Sequence, residues 1–180
     1  MIKVGLNIGN SKISCIVTDY KSFDDLNILS ILSYPSNLIK KNIITNYDQL
    51  FNEIKNLILE SEKKSQTKIN SINVNISLLD SLSQYYQSEI VIPDQQISDL
   101  HLKKAINQSE YFVENDNNYE LINDIIAYEL DKKTIYTDPI GNYANNVRLY
   151  FYKLLINKKF LKNIFNLARD LKLNIDNIIP

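Results

Sequence analysis

Residues 4–17 read VGLNIGNSKISCIV, a pattern that predicts a strand, a tight polar turn and a second strand. Two of the three glycines in the chain, Gly5 and Gly9, lie in this opening hairpin. Gly9 stands at the tip of the turn, where the missing Cβ lets backbone amides come close to a phosphate. A Gly-Asn turn is also a strong signal for an ordinary β-hairpin, and the pattern by itself favours that simpler interpretation.

The composition limits the classes of function. With 180 residues the chain can hold one domain or two small ones. Its formal net charge of −1 argues against a strongly basic surface for nucleic acid. Cys15 is the single cysteine, which excludes an internal disulfide and a Cys/His metal cluster and predicts a buried, reduced thiol. No apolar run is long enough for a membrane span, and we expect no signal peptide, because the first residues run straight into a predicted strand.

Around the hairpin, the pattern predicts an α/β layer. Asn46 is a predicted N-cap, and the helix after it carries apolar residues at steps of three and four. The chain closes on a helix followed at once by a strand, so we expect that it is cut from a longer protein. The predicted elements of this layer are strands over residues 2–9, 13–20, 26–34, 43–45, 72–76 and 173–179, and helices over 47–63 and 158–171.

After residue 79 the pattern predicts a small inserted α+β unit with the order strand, helix, strand, strand. The strands cover 85–92, 121–130 and 147–156, the first of them ended by Pro93, and the helix covers 98–109. His101, the only histidine, falls in the first turn of that helix, where a surface or half-buried ring is favoured over a catalytic one. Asp138, Pro139 and Gly141 occupy the positions that a type I turn prefers, which predicts an ordered loop.

Five segments together resemble the N-terminal half of the FtsA family, bacterial cell-division proteins of the actin/Hsp70-like ATPase superfamily. The opening hairpin is similar to the first phosphate-binding hairpin of that family, and the other segments follow in the same order. These four segments are SYPSNLIKKNIITN (33–46), SINVNIS (71–77), TDPIGNYANNVRL (137–149) and NLARDLKLNIDNIIP (166–180).

The resemblance implies an α/β fold: a partial actin-like (ribonuclease H-like) lobe with an inserted small α+β subdomain of the SHS2 type. It places the lobe in residues 1–78 and 158–180 and the insert in residues 79–157. It also implies that the hairpin descends from a phosphate loop. The candidate nucleotide-binding residues are Asn7, Gly9, Asn10, Ser11 and Lys12.

Two departures from the family predict an incomplete nucleotide site. The family has an acidic residue at the position of Asn7, where the carboxylate helps to hold hydrated Mg²⁺, and an amide lacks that charge. The family's Gly-Ile-Ser-Gly stands here as Asn75-Ile76-Ser77-Leu78. The chain also corresponds to one of the two lobes that clamp the nucleotide. We therefore expect no catalytic or metal-binding residues and no cofactor in this chain alone, with ATP and Mg²⁺ bound only if a second lobe exists.

The resemblance implies a protein-interaction scaffold in bacterial cytokinesis. Its partners would be other cell-division proteins or a second copy, contacted through the insert, with no nucleic acid and no direct membrane insertion. We expect a cytoplasmic protein recruited to the inner face of the membrane at the division site. Six tyrosines near the insert suit an interface, or else pack as ordinary strand residues: Tyr85, Tyr86, Tyr136, Tyr143, Tyr150 and Tyr152.

Two alternatives remain open at this point. One is an actin-like ATPase lobe completed by missing or separate sequence, supported by the Gly9–Lys12 turn. The other is an actin-like relative from type IV pilus assembly, which shares the core and the kind of insert.

Overall fold

A computed structural model describes residues 1–22, 24–77, 81–109 and 117–180. The described residues form two compact units by their contacts, one of Met1–Asp80 with Asn157–Pro180 and one of Ser81–Ile156. None of the helices in this part of the chain has the length and hydropathy that crossing a bilayer requires. The predicted boundary at Leu78 and Leu79 lies outside the described residues.

The first unit is built on a five-stranded sheet with the strand order β11 (Asn174–Ile179), β6 (Ser71–Ile76), β1 (Ile2–Ile8), β2 (Lys12–Ser22) and β3 (Asp25–Pro35). The hairpin pairs β1 with β2 in antiparallel fashion, whereas β6 runs parallel to β1 and β11 runs parallel to β6. The elements of this unit are β1 (Ile2–Ile8), β2 (Lys12–Ser22), β3 (Asp25–Pro35), β4 (Ile39–Lys40), β5 (Ile43–Ile44), α1 (Tyr47–Ser65), β6 (Ser71–Ile76), α3 (Lys158–Asp170) and β11 (Asn174–Ile179).

One face of this sheet, the inner face, is buried under helices. Alternate residues of the central strands point to it and are apolar, as period-two alternation requires: Val4, Leu6, Ile8, Ile13, Cys15, Val17, Ile72, Val74 and Ile76. Helix α1 begins at the predicted cap, because the Asn46 side chain accepts from the Gln49 amide at 3.0 Å. Helices α1 and α3 lie near each other, since the Tyr47 hydroxyl donates to Asp170 at 3.0 Å.

The second unit is a four-stranded sheet with one helix packed on a face, and its strands lie in the order β7 (Leu82–Gln96), β10 (Tyr143–Asn157), β8 (Asn118–Leu130) and β9 (Thr134–Tyr136). Its elements are β7 (Leu82–Gln96), α2 (Asp99–Ser109), β8 (Asn118–Leu130), β9 (Thr134–Tyr136) and β10 (Tyr143–Asn157). Its own core joins residues of the helix and three strands: Ile90, Ile92, Ile97, Leu102, Ala105, Leu130, Ala144, Val147, Leu149 and Phe151.

The predicted end of the first insert strand is wrong. Strand β7 continues through Pro93 to Gln96. The register with β10 shifts between Ala144 and Asn146, so the β7 residues around Pro93 form a bulge. Proline is tolerated there because β7 is an edge strand and a bulged residue need not donate to a ladder. The strands β4 and β9 were not predicted, because two or three residues are too few to show an alternating pattern.

Candidate functional site

The candidate phosphate turn closes the hairpin between β1 and β2. The Gly9 amide donates to the Lys12 carbonyl at 3.0 Å. A Cβ built on Gly9 would stand 3.0 Å from that carbonyl oxygen and 3.3 Å from Asn7 Nδ2. The space above Gly9 is tight because the Asn7 side chain and the Lys12 carbonyl already occupy it, so glycine is favoured at this position.

The five predicted site residues lie together because they are consecutive around one turn. Asn7 is half-buried at the end of β1, and Lys12 is exposed at the start of β2. Within the described part of the chain, the amides of Asn10 and Ser11 donate to no backbone carbonyl. Backbone amides at a turn tip are suited to binding an anion.

Ser36 is a residue of this region that sequence reasoning missed. Its amide donates to the Ser11 carbonyl at 3.1 Å, which ties the end of β3 to the turn. Its hydroxyl and the Asn10 Oδ1 atom are buried, and neither has a hydrogen-bond partner among the described residues. A buried polar group without a protein partner can bind water or a ligand. Only the strand pairing reveals that Ser36 stands beside a turn 25 positions earlier in the chain.

An asparagine row lies on the outer face of the sheet, the face opposite the helices. Asn7 and Asn75 are paired on neighbouring parallel strands near their carboxyl ends, and Asn73 follows on the same side. Asn177 donates to Asn73 Oδ1 at 2.8 Å, and Asn73 donates to the Val4 carbonyl at 3.3 Å. Ligands commonly bind at the carboxyl ends of parallel strands, so these amides extend the polar surface beside the turn.

These side chains fit a phosphate better than a divalent cation. Asn7 presents a neutral amide, and Mg²⁺ is normally held by carboxylates and water. Among the described residues, no group of three or more His, Cys, Asp or Glu side chains is arranged to hold a metal ion. Backbone amides and the exposed Lys12 ammonium can contact a phosphate, whereas the neutral amide of Asn7 brings no negative charge toward a metal ion.

In the second unit, the sheet face opposite α2, which we call the tyrosine face, carries paired aromatic and charged side chains. The Tyr85 and Tyr152 rings lie 5.3 Å apart, and Tyr85 is 73% exposed. Arg148 bridges Glu89 at 2.8 Å and Glu129 at 3.2 Å. The hydrogen bond to Glu89 is the main cause that holds the Arg148 pKa above its ordinary value, so the guanidinium stays charged.

The other tyrosines of the predicted interface divide between the surface and the core. Tyr86 stacks on Phe151 at 4.7 Å and donates to Asn123, so it belongs to the packed side of the sheet. Tyr143 is 72% exposed, and Tyr150 donates to Glu129 at 2.8 Å. The side chain of Tyr136 lies outside the described residues.

The predicted type I turn at Asp138 is displaced by one residue. Asn142 donates to the Pro139 carbonyl at 3.2 Å, and Gly141, third in the turn, has φ +87°. A positive φ at the third position is typical of a type II turn, which glycine alone adopts readily. Asp138 instead accepts from the Ile140 amide at 3.0 Å. Gly141 also donates to the Ile97 carbonyl at 3.0 Å, which fastens this loop where β7 meets α2.

His101 is a half-buried helix residue and not part of a cluster of catalytic groups in the described residues. Its Nδ1 atom accepts from the Ser98 amide at 3.4 Å, a contact that supports the first turn of α2. The predicted surface or half-buried ring is confirmed.

This fold, a mixed sheet with an α+β unit inserted after β6, is the actin-like ATPase fold. A PilM chain in a structure described as a PilM-PilN type IV pilus biogenesis complex matches 98% of this chain and 46% of its own, with a TM-score of 0.59 and 14% identity. That likeness defines the class of fold.

Among curated proteins, the chain is similar to cell division protein FtsA. The protein from Pseudomonas aeruginosa is 21% identical over 98% of this chain and 42% of its own length. FtsA from Neisseria meningitidis is 23% identical over 80% of this chain and 34% of its own length. FtsA from Buchnera aphidicola is 23% identical over 98% of this chain and 42% of its own length. No family model matches the chain. The sequence matches and the shared fold support an FtsA-like, actin-fold family, and the chain spans about two fifths of these relatives' length.

Proposed function

We propose that this protein is an interaction scaffold in bacterial cytokinesis that contacts its partners through the second unit. Its FtsA relatives are named for cell division, and the unit has its own hydrophobic core that can support a binding surface. By the same resemblance it works in the cytoplasm and is recruited to the inner face of the membrane at the division site.

The tyrosine face is the observation that carries this proposal. Exposed tyrosines and arginine are enriched at protein interfaces because they bury a large area and keep a polar end. Tyr85 lies on this face beside Tyr152, while Glu89 and Glu129 hold Arg148 in one orientation. A fixed guanidinium among aromatic rings loses little conformational entropy on binding.

The proposed partners are the cytoplasmic segments of other cell-division proteins or a second copy of this chain. Calorimetric titration of the full chain with synthetic peptides that cover those cytoplasmic segments tests the first kind of partner. Calorimetric dilution of the concentrated chain tests binding to a second copy. Binding that weakens at least about tenfold in Tyr85→Ser is expected, because aromatic anchors dominate interface energies. Tyr20→Ser, a change of an exposed tyrosine in the first unit, is the matched control and should bind normally.

Absence of heat in every titration, or an equal loss in both variants, would count against the scaffold. The second candidate, an ATPase lobe completed by a separate lobe, is supported by the amides of Asn10 and Ser11, which donate to no backbone carbonyl in the described part of the chain. Micromolar affinity of this chain for Mg-ATP would favour that candidate.

The pilus-assembly alternative is supported by the shared fold, and a genomic neighbourhood of pilus genes instead of division genes would favour it.

A further inference from the structure

A groove of about 450 Å³ lies between one edge of the second unit's sheet and helix α2. One wall is a run of β7 that includes Glu89, Val91 and Pro93, and the other wall is His101, Lys104 and Gln108. The three helix residues recur at steps of three and four, so they form one stripe along α2. The opposite wall is lined by consecutive residues of β7, whose side chains alternate between the two faces of the sheet. This wall is therefore formed by the backbone edge of β7 and not by one row of side chains.

No described strand pairs with the outer edge of β7. In the sheet order of the described strands, β7 is terminal and pairs only with β10. Between residues 82 and 92, Glu89 is the only charged residue, so the strand lacks the lysines that commonly protect an edge. Pro93 and the bulge around it interrupt the edge at one end of the groove. About four residues remain before Pro93, roughly 13 Å of strand.

The charges of the groove select the side chain that would face α2. Glu89 is neutralised by Arg148 at 2.8 Å on the tyrosine face. Lys104 is exposed and makes no ion pair within the described ranges. A carboxylate next to Lys104 would therefore gain a partner without competing with an existing pair.

We infer that this groove binds an extended peptide segment of another protein, which adds a strand to β7 and places an acidic side chain against Lys104. The inference rests on the proposed scaffold function and deepens it by assigning the mode of binding. Backbone hydrogen bonds to the edge supply affinity, and the stripe on α2 supplies selectivity, as in other cases of strand addition beside a helix.

The test begins with a library of twelve-residue peptides displayed on phage and selected on the full 180-residue chain. The selected peptides are then synthesised and titrated. They are expected to contain an acidic residue at a fixed place in an alternating pattern. The dissociation constant should rise at least tenfold in Lys104→Glu, and a peptide with lysine in place of its acid should bind that variant better than it binds the wild-type chain. Lys103→Glu, an exposed neighbour outside the stripe, is the matched control.

Backbone methylation tests strand addition directly. Methylating every second peptide nitrogen removes the donors along one edge of an extended peptide. One alternate set should abolish binding, and the other should leave it within about threefold. Equal effects of the two sets, or selected peptides that ignore Lys104→Glu, would overturn the inference. A dimer in sedimentation that Lys104→Glu dissociates would also overturn it, because the occupant would then be a second copy.

The outcomes separate this inference from the scaffold proposal. If division-protein peptides bind and depend on Tyr85 but not on Lys104, the scaffold stands and the groove inference falls. If selected peptides depend on Lys104 while no division-protein peptide binds, the groove stands and the division role falls.

Discussion

Lys153 is a charged residue at a buried position. It is 4% exposed and pairs with Glu120 at 2.5 Å, while its ammonium lies 5.4 Å from the centre of the Tyr86 ring. Lys153 stands two residues after Phe151 in β10, so its side chain points to the same packed side of the sheet as the buried Leu149 and Phe151. A buried ammonium is tolerated only when its charge is compensated.

Removing the carboxylate should therefore destabilise the protein more than removing the ammonium. Glu120→Gln leaves the buried charge without its counter-ion and should lower the free energy of unfolding by about 2 kcal/mol, less than for a fully buried pair because Glu120 is 42% exposed. Lys153→Met removes the charge at similar volume and should cost about 1 kcal/mol or less. Urea unfolding measures both, and a larger loss in Lys153→Met would contradict this account.

Cys15 is buried on the inner face of the sheet, as the sequence predicts. Burial raises the pKa of its thiol, and the nearby Ser61 hydroxyl offsets part of that rise. The neutral thiol is thus favoured in the folded state. The resulting stability is present below the pKa of the unfolded thiol and is lost as pH rises through the higher folded value.

We expect the difference in unfolding free energy between the wild type and Cys15→Ala to be constant below about pH 8 and to shrink above it. Urea titrations at successive pH values measure this difference. A thiol reagent should label native Cys15 at least about 100-fold more slowly than the unfolded chain, because labelling requires opening. If the difference in unfolding free energy grew with pH, folding would lower the pKa of the Cys15 thiol and not raise it.

At the scale of elements, sequence signals near helix starts correspond to observed contacts. Asn46 was predicted as a cap and is one. Asn157, at the start of α3, accepts from the amides of Lys159 at 2.9 Å and Phe160 at 3.1 Å. Capping is local, so the residues that decide it are adjacent in the sequence.

The course of β7 through Pro93 was mispredicted because the position of a strand in its sheet decides whether proline is tolerated.

The cap of α3 gives a test at this scale. Asn157→Ala removes the acceptor of two amides and should cost about 1 kcal/mol of unfolding free energy. Asn157→Asp keeps the acceptor and places a negative charge at the helix N-terminus, so it should be neutral or slightly stabilising. Thermal unfolding measures the relative stabilities of the wild type and the two Asn157 variants. Lys162→Ala, a change of an exposed residue in the same helix, is the control. Equal stability of the Ala and Asp variants would show that the cap contributes nothing.

At the scale of the whole molecule, the proposed incomplete site makes a prediction about nucleotide. The described residues present one candidate phosphate turn with a neutral Asn7, and the resemblance implies a nucleotide held between two lobes. We expect this chain to bind ATP more weakly than about 1 mM, because a small ligand needs most of its surface enclosed. Chelating Mg²⁺ should leave that affinity unchanged within error.

Asn7→Asp is the matched variant for this measurement. It restores a carboxylate but not the missing contacts, so affinity should stay in the same weak range. Fluorescence titration with a labelled ATP analogue, with and without Mg²⁺, measures both proteins. Micromolar, Mg²⁺-dependent binding by the wild-type chain would refute the incomplete site.

The sequence by itself determined the hairpin, the α1 cap, the alternation of β6 and the likeness to FtsA, because turn chemistry, capping and periodicity act between near neighbours. Tertiary structure alone decided that Ser36 lies beside the turn between β1 and β2, that Asn177 reaches Asn73, and that the edge of β7 faces a stripe of α2. These pairs are distant in the chain or belong to different elements. Strand order and register bring them together, and both are set by the packing of the whole sheet.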